Sequence, residues 1–184
     1  MKKLKLLSLA LLSCLMLFLA VPLTFAASAG EINAGADHAL STLYKTVRGS
    51  HNVVDRAKGV LVMPNVYRAG FGVGGEYGQG VLRMGSKPVD YYNLVSASYG
   101  LQIGAQKQSI ILVFMTDSAL RNFQNSSGWR VGADAEVTVV KTGADGSIES
   151  NTLNKPVIAF VVGQKGLMAG VSIEGAKFNK INKK

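Results

Sequence analysis

Apolar residues recur at Ile32, Ala36, Leu40, Leu43 and Val47, three or four positions apart, and this spacing predicts an amphipathic helix over residues 31–48. Glu31 and Asp37 fall early in it and Lys45 and Arg48 late, the arrangement that a helix dipole favours. Gly49 is the expected stop. Ser50 is expected to cap a second, short helix over residues 53–58, ended by Gly59. From Val60 the period changes to that of strands. Residues 60–63 form an apolar run halted by Pro64, a glycine-rich strand follows, and residues 84–88 supply turn chemistry. A strand over 91–107, interrupted at Gly100 and Gly104, precedes a core strand over 110–115. Thr116 or Asp117 is expected to cap a helix over 118–124 that turns Leu120 and Phe123 inward. The last third reads as an antiparallel meander: a strand over 129–141, a turn at 143–146, then strands over 156–163 and 167–174 paired across 164–166, with a loose tail from Lys177 to Lys184. The fold class that follows is α+β, a curved, largely antiparallel β-sheet or open barrel with an N-terminal helix and one or two short helices.

The glycine-rich strand, residues 69–82, needs a physical reason. Gly70, Gly72 and Gly74 leave one face of an extended strand bare while Phe71 and Val73 fill the other, and Gly75, Gly78 and Gly80 continue the run. Each glycine costs about 0.5–1 kcal/mol relative to alanine, so a backbone, a ring or a ligand must approach closely. Close packing is the first reading and a ligand-facing surface the second. Gly70, Gly72 and Gly75 also satisfy a GxGxxG spacing. A dinucleotide site requires that turn to open a helix, which residues 76–80 with Gly78 and Gly80 do not continue.

The N-terminal residues form a separate unit. Lys2, Lys3 and Lys5 precede an apolar stretch from Leu6 to Val21, Pro22 breaks it, and Thr24 and Ala26 stand at the small-residue positions of a cleavage site, so residues 1–26 read as a secretory signal peptide, with Ala29 as a second possible cut. Residues 27–184 then make a single domain large enough to bury its own core. Cys14, the one cysteine of the chain, lies in the leader, which excludes disulfides and zinc–thiolate sites from the rest. The formal charge of +9 falls to +6 without the three leader lysines. That balance favours anionic partners, and export favours lipid headgroups over nucleic acid. The expected location is the periplasm or the outer membrane's surface, or outside the cell.

Six blocks occur in one order: residues 58–64; the glycine strand; Tyr91-Tyr92 with residues 100–106; Ala119-Leu120; residues 128–135; and residues 166–175. Together they resemble the SYLF domain over nearly all of residues 27–184. The resemblance implies lipid binding. Eukaryotic members of that family bind phosphoinositides, and the yeast ones also bind actin filaments. This chain is similar to the small exported bacterial members, which implies neither actin nor phosphoinositide as partner.

Candidate chemistry is sparse. His38 falls on the polar side of the first helix and His51 near the start of the second, neither in a recognisable triad, and Asp134 and Glu136 are expected on one solvated strand face. No metal, cofactor or nucleophile-elbow motif occurs. Short connections would gather Lys45, Arg48, Arg56, Lys58 and Arg68 at one edge, where each cation near an anionic surface contributes about 1 kcal/mol. Tyr67, Phe71, Tyr77, Tyr91, Tyr92 and Tyr99 are expected around the glycine strand, as core or as the wall of a groove. The expected function is binding of anionic membrane lipid without catalysis and without a cofactor. The alternative is a structural or stress-related envelope protein that acts through a protein partner.

Overall fold

A computed structural model describes residues 27–140, 148, 152–163, 166–167 and 172–183; side chains at 70–73, 98–105, 153 and 166–167 are not part of that description. The leader expected at 1–26 and the turn expected at 143–146 lie outside the described residues. The first helix, α1 (Ala29–Thr46), starts two residues before its expected position because Ser28 and Glu31 form a capping box: Glu31 N–H donates to the Ser28 hydroxyl at 3.2 Å, and Ser28 N–H donates to the Glu31 carboxylate at 2.7 Å. These bonds to Ser28 hold the Glu31 carboxyl below its ordinary value. Ile32, Ala36, Ala39 and Leu43 are its buried face.

Gly49, at φ +83°, turns the chain into α2 (Ser50–Asp55). Ser50 is not the cap that the sequence suggests. It is buried, and its hydroxyl donates back to the Val47 carbonyl at 2.7 Å, a carbonyl that the end of α1 leaves free.

Two long strands replace the four expected pieces. β1 (Gly59–Met84) and β2 (Lys87–Phe114) pair antiparallel along their length across the two-residue turn Gly85-Ser86, with Gly85 at φ +60°. Pro64 does not end β1, because it sits in a register shift between Met63 and Val66 where no ladder N–H is required. A second shift lies between Gly70 and Gly72. There β1 doubles back: the backbone at Gly78 reaches Asn65 and Val66, and that at Gly80 reaches Val62 and Met63.

After α3 (Asp117–Asn125), capped by Thr116, come β3 (Trp129–Arg130), β4 (Thr138–Val139), β5 (Val157–Gly163), β6 (Gly166–Leu167) and β7 (Lys177–Ile181). Among the described residues the sheet has seven strands in the path β3-β7-β2-β5-β4, with β1 on β2 and β6 on β5. It curls into a half-barrel. Two expectations for the last third are corrected. β4 runs parallel to β5, so the segment is not a simple meander. The tail is not loose either: β7 pairs with both β2 and β3, because Phe178 is 1 % exposed and stands in register with Leu94 and Trp129.

The sheet buries both faces. Even-numbered residues of β2, Ile110, Leu112 and Phe114, join Leu61, Met63, Leu82 and Leu94 around Leu120 and Phe123 of α3, while Ile111 and Val113 join Val60, Val62 and Phe160 under α1. That explains the unbroken apolar runs in the centre. One polar clamp fixes α1 to the hairpin: buried Arg83 donates to Asp37 Oδ1 at 2.6 Å and to the Asn33 carbonyl at 3.1 Å. Arg83→Met keeps the alkyl stem and loses these charge-assisted bonds, and is expected to cost about 2 kcal/mol in urea unfolding. An unchanged midpoint would show that the clamp is idle.

Candidate functional site

The C-terminal end of α1 and the short α2 build the strongest candidate. Val47 is buried and leaves the helix in an extended conformation, Gly49 reverses the chain, and Val53 anchors α2 to the sheet. This geometry carries Arg48 on the connection and Arg56 at the end of α2 to the rim of one pocket of about 360 Å³. Gly49 and Asn52 complete its polar part, and Val53, Met115 and Ile148 give it apolar walls. Both arginines are exposed, and among the described residues that line the pocket none is acidic. Guanidinium groups match the oxygens of phosphate or carboxylate in paired hydrogen bonds, so an anionic group over an apolar wall fits this arrangement.

The other residues of the expected basic edge go elsewhere. Lys58 pairs with Asp117 at 3.7 Å. Arg68 pairs through Nε with Glu76, whose side chain is 2 % exposed. Lys45 is exposed in the last turn of α1. Only Arg48 and Arg56 share the pocket, since the doubled-back hairpin carries Arg68 onto the inner face of the sheet, opposite α1.

The glycines divide in the same way. A Cβ at Gly78 would lie 2.9 Å from the Asn65 carbonyl oxygen and 2.9 Å from Val66 Cγ2, and one at Gly80 would meet the Val62 carbonyl and Met63. These two are seats for a crossing backbone. At Gly75 the nearest atom is Ser96 O at 3.5 Å, an ordinary contact. Gly70 pairs with Gly104, Gly72 with Gly100 and Gly74 with Ser98, at and beside the bend.

Of the tyrosines, Tyr92 is buried, Tyr91 accepts a hydrogen bond from Asn33 Nδ2 at 2.8 Å, and Tyr67 is exposed with Lys107 Nζ 5.7 Å from its ring centre. The side chains of Phe71 and Tyr99 lie outside the described residues. The aromatic cluster that the sequence did not reveal is Tyr92, Phe114, Phe123, Trp129 and Phe178, with ring centres 4.6–6.3 Å apart. Its members come from four elements, so no local period marks it. Burial pushes the Tyr92 phenol up to about 12.

His38 is exposed on α1, and His51, also exposed, has Nδ1 2.7 Å from Asp55 and its ring 4.6 Å from that of Tyr44. Asp134 and Glu136 do not share a strand face. Asp134 closes a turn by accepting the Arg130 N–H at 2.6 Å, and Glu136 lies 3.4 Å from Lys155 Nζ. Among the described residues no three His, Cys, Asp or Glu side chains converge on a metal-sized site, and no helix is long and apolar enough to cross a membrane.

In comparisons with known proteins, no curated protein matches the chain. Residues 95–184 match the family model described as Ysc84, Las17-binding protein actin regulator, which takes in β2 from Val95 onward, α3, and every later strand. That match, with the ordered sequence blocks on this half-barrel, places residues 95–184 in the likeness of the SYLF-domain family of lipid-binding or actin-regulator-like domains.

Proposed function

We propose that this protein is exported and binds anionic lipid at the cell envelope, as a binding protein rather than an enzyme, with the headgroup held by Arg48 and Arg56. The observation that carries the reading is the pocket itself, in which two exposed guanidinium groups border Val53, Met115 and Ile148. A phosphate finds its donors there and the first carbons below it find an apolar wall. The positive balance of the chain adds attraction to an anionic surface, which salt screens over about 8–10 Å at ordinary ionic strength.

Flotation with phosphatidylglycerol vesicles tests it. Arg48→Gln with Arg56→Gln is expected to lower binding about thirtyfold at low salt, since two cations near a membrane are worth about 2 kcal/mol, and to flatten the salt dependence. Arg121→Gln with Arg130→Gln removes the same charge from two other exposed arginines and is expected to change binding much less. Equal losses in the two pairs would overturn the pocket and leave net charge alone. Equal binding of wild-type protein to phosphatidylcholine vesicles would overturn the preference for anionic lipid.

A further inference from the structure

The half-barrel's inner face is closed by the hairpin folding onto itself, and three features of that closure point the same way. The ladder skips between Gly70↔Gly104 and Gly72↔Gly100, which sets residues 101–103 opposite residue 71 and breaks the sheet's continuity at the bend. Just beyond the bend, the Glu76 carboxylate is taken out of water against Arg68. Beside them, Gln108 stands opposite Val66, is 2 % exposed, and finds no partner among the described residues for its amide oxygen or its amide nitrogen. A buried amide without a partner and a buried ion pair both oppose the closed state.

What favours closure is mainly apolar packing, to which the Arg83 clamp on α1 and the pairing of residues 91–95 with β7 add. Gly78 and Gly80 let the returning strand seat against Val62–Val66, and Leu82, Tyr92 and Leu94 are thereby buried with Met63 and Val66. Swinging the distal half of the hairpin outward would hydrate Glu76 and Gln108 and uncover those side chains. Water makes the second change unfavourable, whereas a hydrocarbon chain that covers the same surface removes most of that penalty.

We propose that the inner face of the folded-back hairpin, lined by Met63, Val66, Leu82 and Leu94, is an acyl-chain site that opens at the glycine bend when a lipid supplies the apolar cover. It rests on the anionic-lipid reading, in which the Arg48–Arg56 pocket first brings the protein to a membrane, and adds how a packed domain with few exposed apolar residues takes hold of the chains.

The test is a reversible lock. In the full chain with Cys14→Ser, the pair Val66→Cys and Gly78→Cys places two thiols within disulfide reach, because a Cβ at Gly78 falls 2.9 Å from Val66 Cγ2 and 3.2 Å from Val66 Cα. Oxidised and reduced forms carry the same substitutions, so each controls for packing damage in the other. The reduced form is expected to exchange the amides of residues 78–82 and 92–94 at least tenfold faster than the oxidised form. It is also expected to bind phosphatidylglycerol vesicles at least tenfold more tightly in high salt, where the apolar contribution remains.

Gln108→Leu gives a second reading without a lock. Removing the unpartnered amide is expected to slow exchange at those amides and weaken vesicle binding in high salt, and faster exchange would overturn the proposal. If wild-type protein does not float with phosphatidylglycerol at any salt, the anionic-lipid reading fails and takes the acyl-chain site with it. If wild-type protein floats, while the oxidised and reduced forms exchange and bind alike, the acyl-chain site alone is wrong.

Discussion

Gly80→Val is expected to cost about 3 kcal/mol or more and to leave little folded protein. The added Cβ would meet the Val62 carbonyl and lie 2.9 Å from Met63 Cα, so the obstacle is backbone and cannot rotate away. Overpacking usually costs about 1–3 kcal/mol, and a β-branched side chain against a fixed strand lies at the upper end of that range. Two other glycines calibrate the measurement. Gly85→Ala is expected to cost about 1–2 kcal/mol, because nothing crowds the site but φ is +60°. Gly75→Ala is expected to stay within about 0.5 kcal/mol, or to gain slightly from a stiffer unfolded chain, since its nearest contact is 3.5 Å. Urea unfolding of the three variants reads the order directly. Native stability in Gly80→Val would mean that the hairpin does not double back at that seat.

Phe123→Ala is expected to be as damaging, for the opposite reason. Phe123 is fully buried, and its ring centre lies 4.6 Å from that of Tyr92, 4.8 Å from Phe114, 5.3 Å from Trp129 and 6.3 Å from Phe178. With Leu120 it is the side chain through which α3 packs on the inner face of the half-barrel. Truncating a buried phenylalanine costs about 3–5 kcal/mol, and a cavity walled by four rings from three strands has little freedom to collapse. The midpoint of thermal unfolding should fall by on the order of 10 °C. Trp129 is the one tryptophan in the chain, so its emission should shift to the red in the folded variant as its neighbour is lost. Arg121→Ala, on the exposed side of the same helix, should change stability by less than about 0.5 kcal/mol. Comparable losses in both variants would show that α3 contributes through its backbone and not through this ring.

Both experiments probe contacts between elements far apart in the chain, and the same distinction separates what was legible in the sequence from what was not. The first helix, its buried face and its stop were legible because Ile32, Ala36, Leu43 and Val47 repeat at helical spacing and Gly49 interrupts them. The second short helix, the helix that turns Leu120 and Phe123 inward, the turn at Gly85 and the α+β class followed from equally local signals. The SYLF resemblance was legible because its blocks are runs of consecutive residues. Local reading failed where a neighbour outside the window supplied the missing partner. Pro64 and the glycines at 100 and 104 looked like breaks, yet each strand runs through them because register shifts absorb the interruptions. The tail looked loose because its only strong apolar residue is Phe178, whose burial depends on Leu94 and Trp129 lying beside it.

The candidate site divides along the same line. Sequence alone established that basic residues end both N-terminal helices, that the chain beyond residue 26 is positively charged and lacks cysteine, and that the glycine strand must be closely approached by something. These are properties of composition and of short-range periodicity, which the covalent order of residues fixes. Which cations share a pocket was decided only by the fold: Arg48 and Arg56 meet beside Met115, Lys58 turns to Asp117, and Arg68 is carried inward to Glu76. What approaches Gly78 and Gly80 was decided there as well, and it is β1 itself, crossing at Val62–Val66. A side chain's direction follows from its own strand, but its partner follows from how that strand bends, and the bend is set by packing against α1 on one face and α3 on the other.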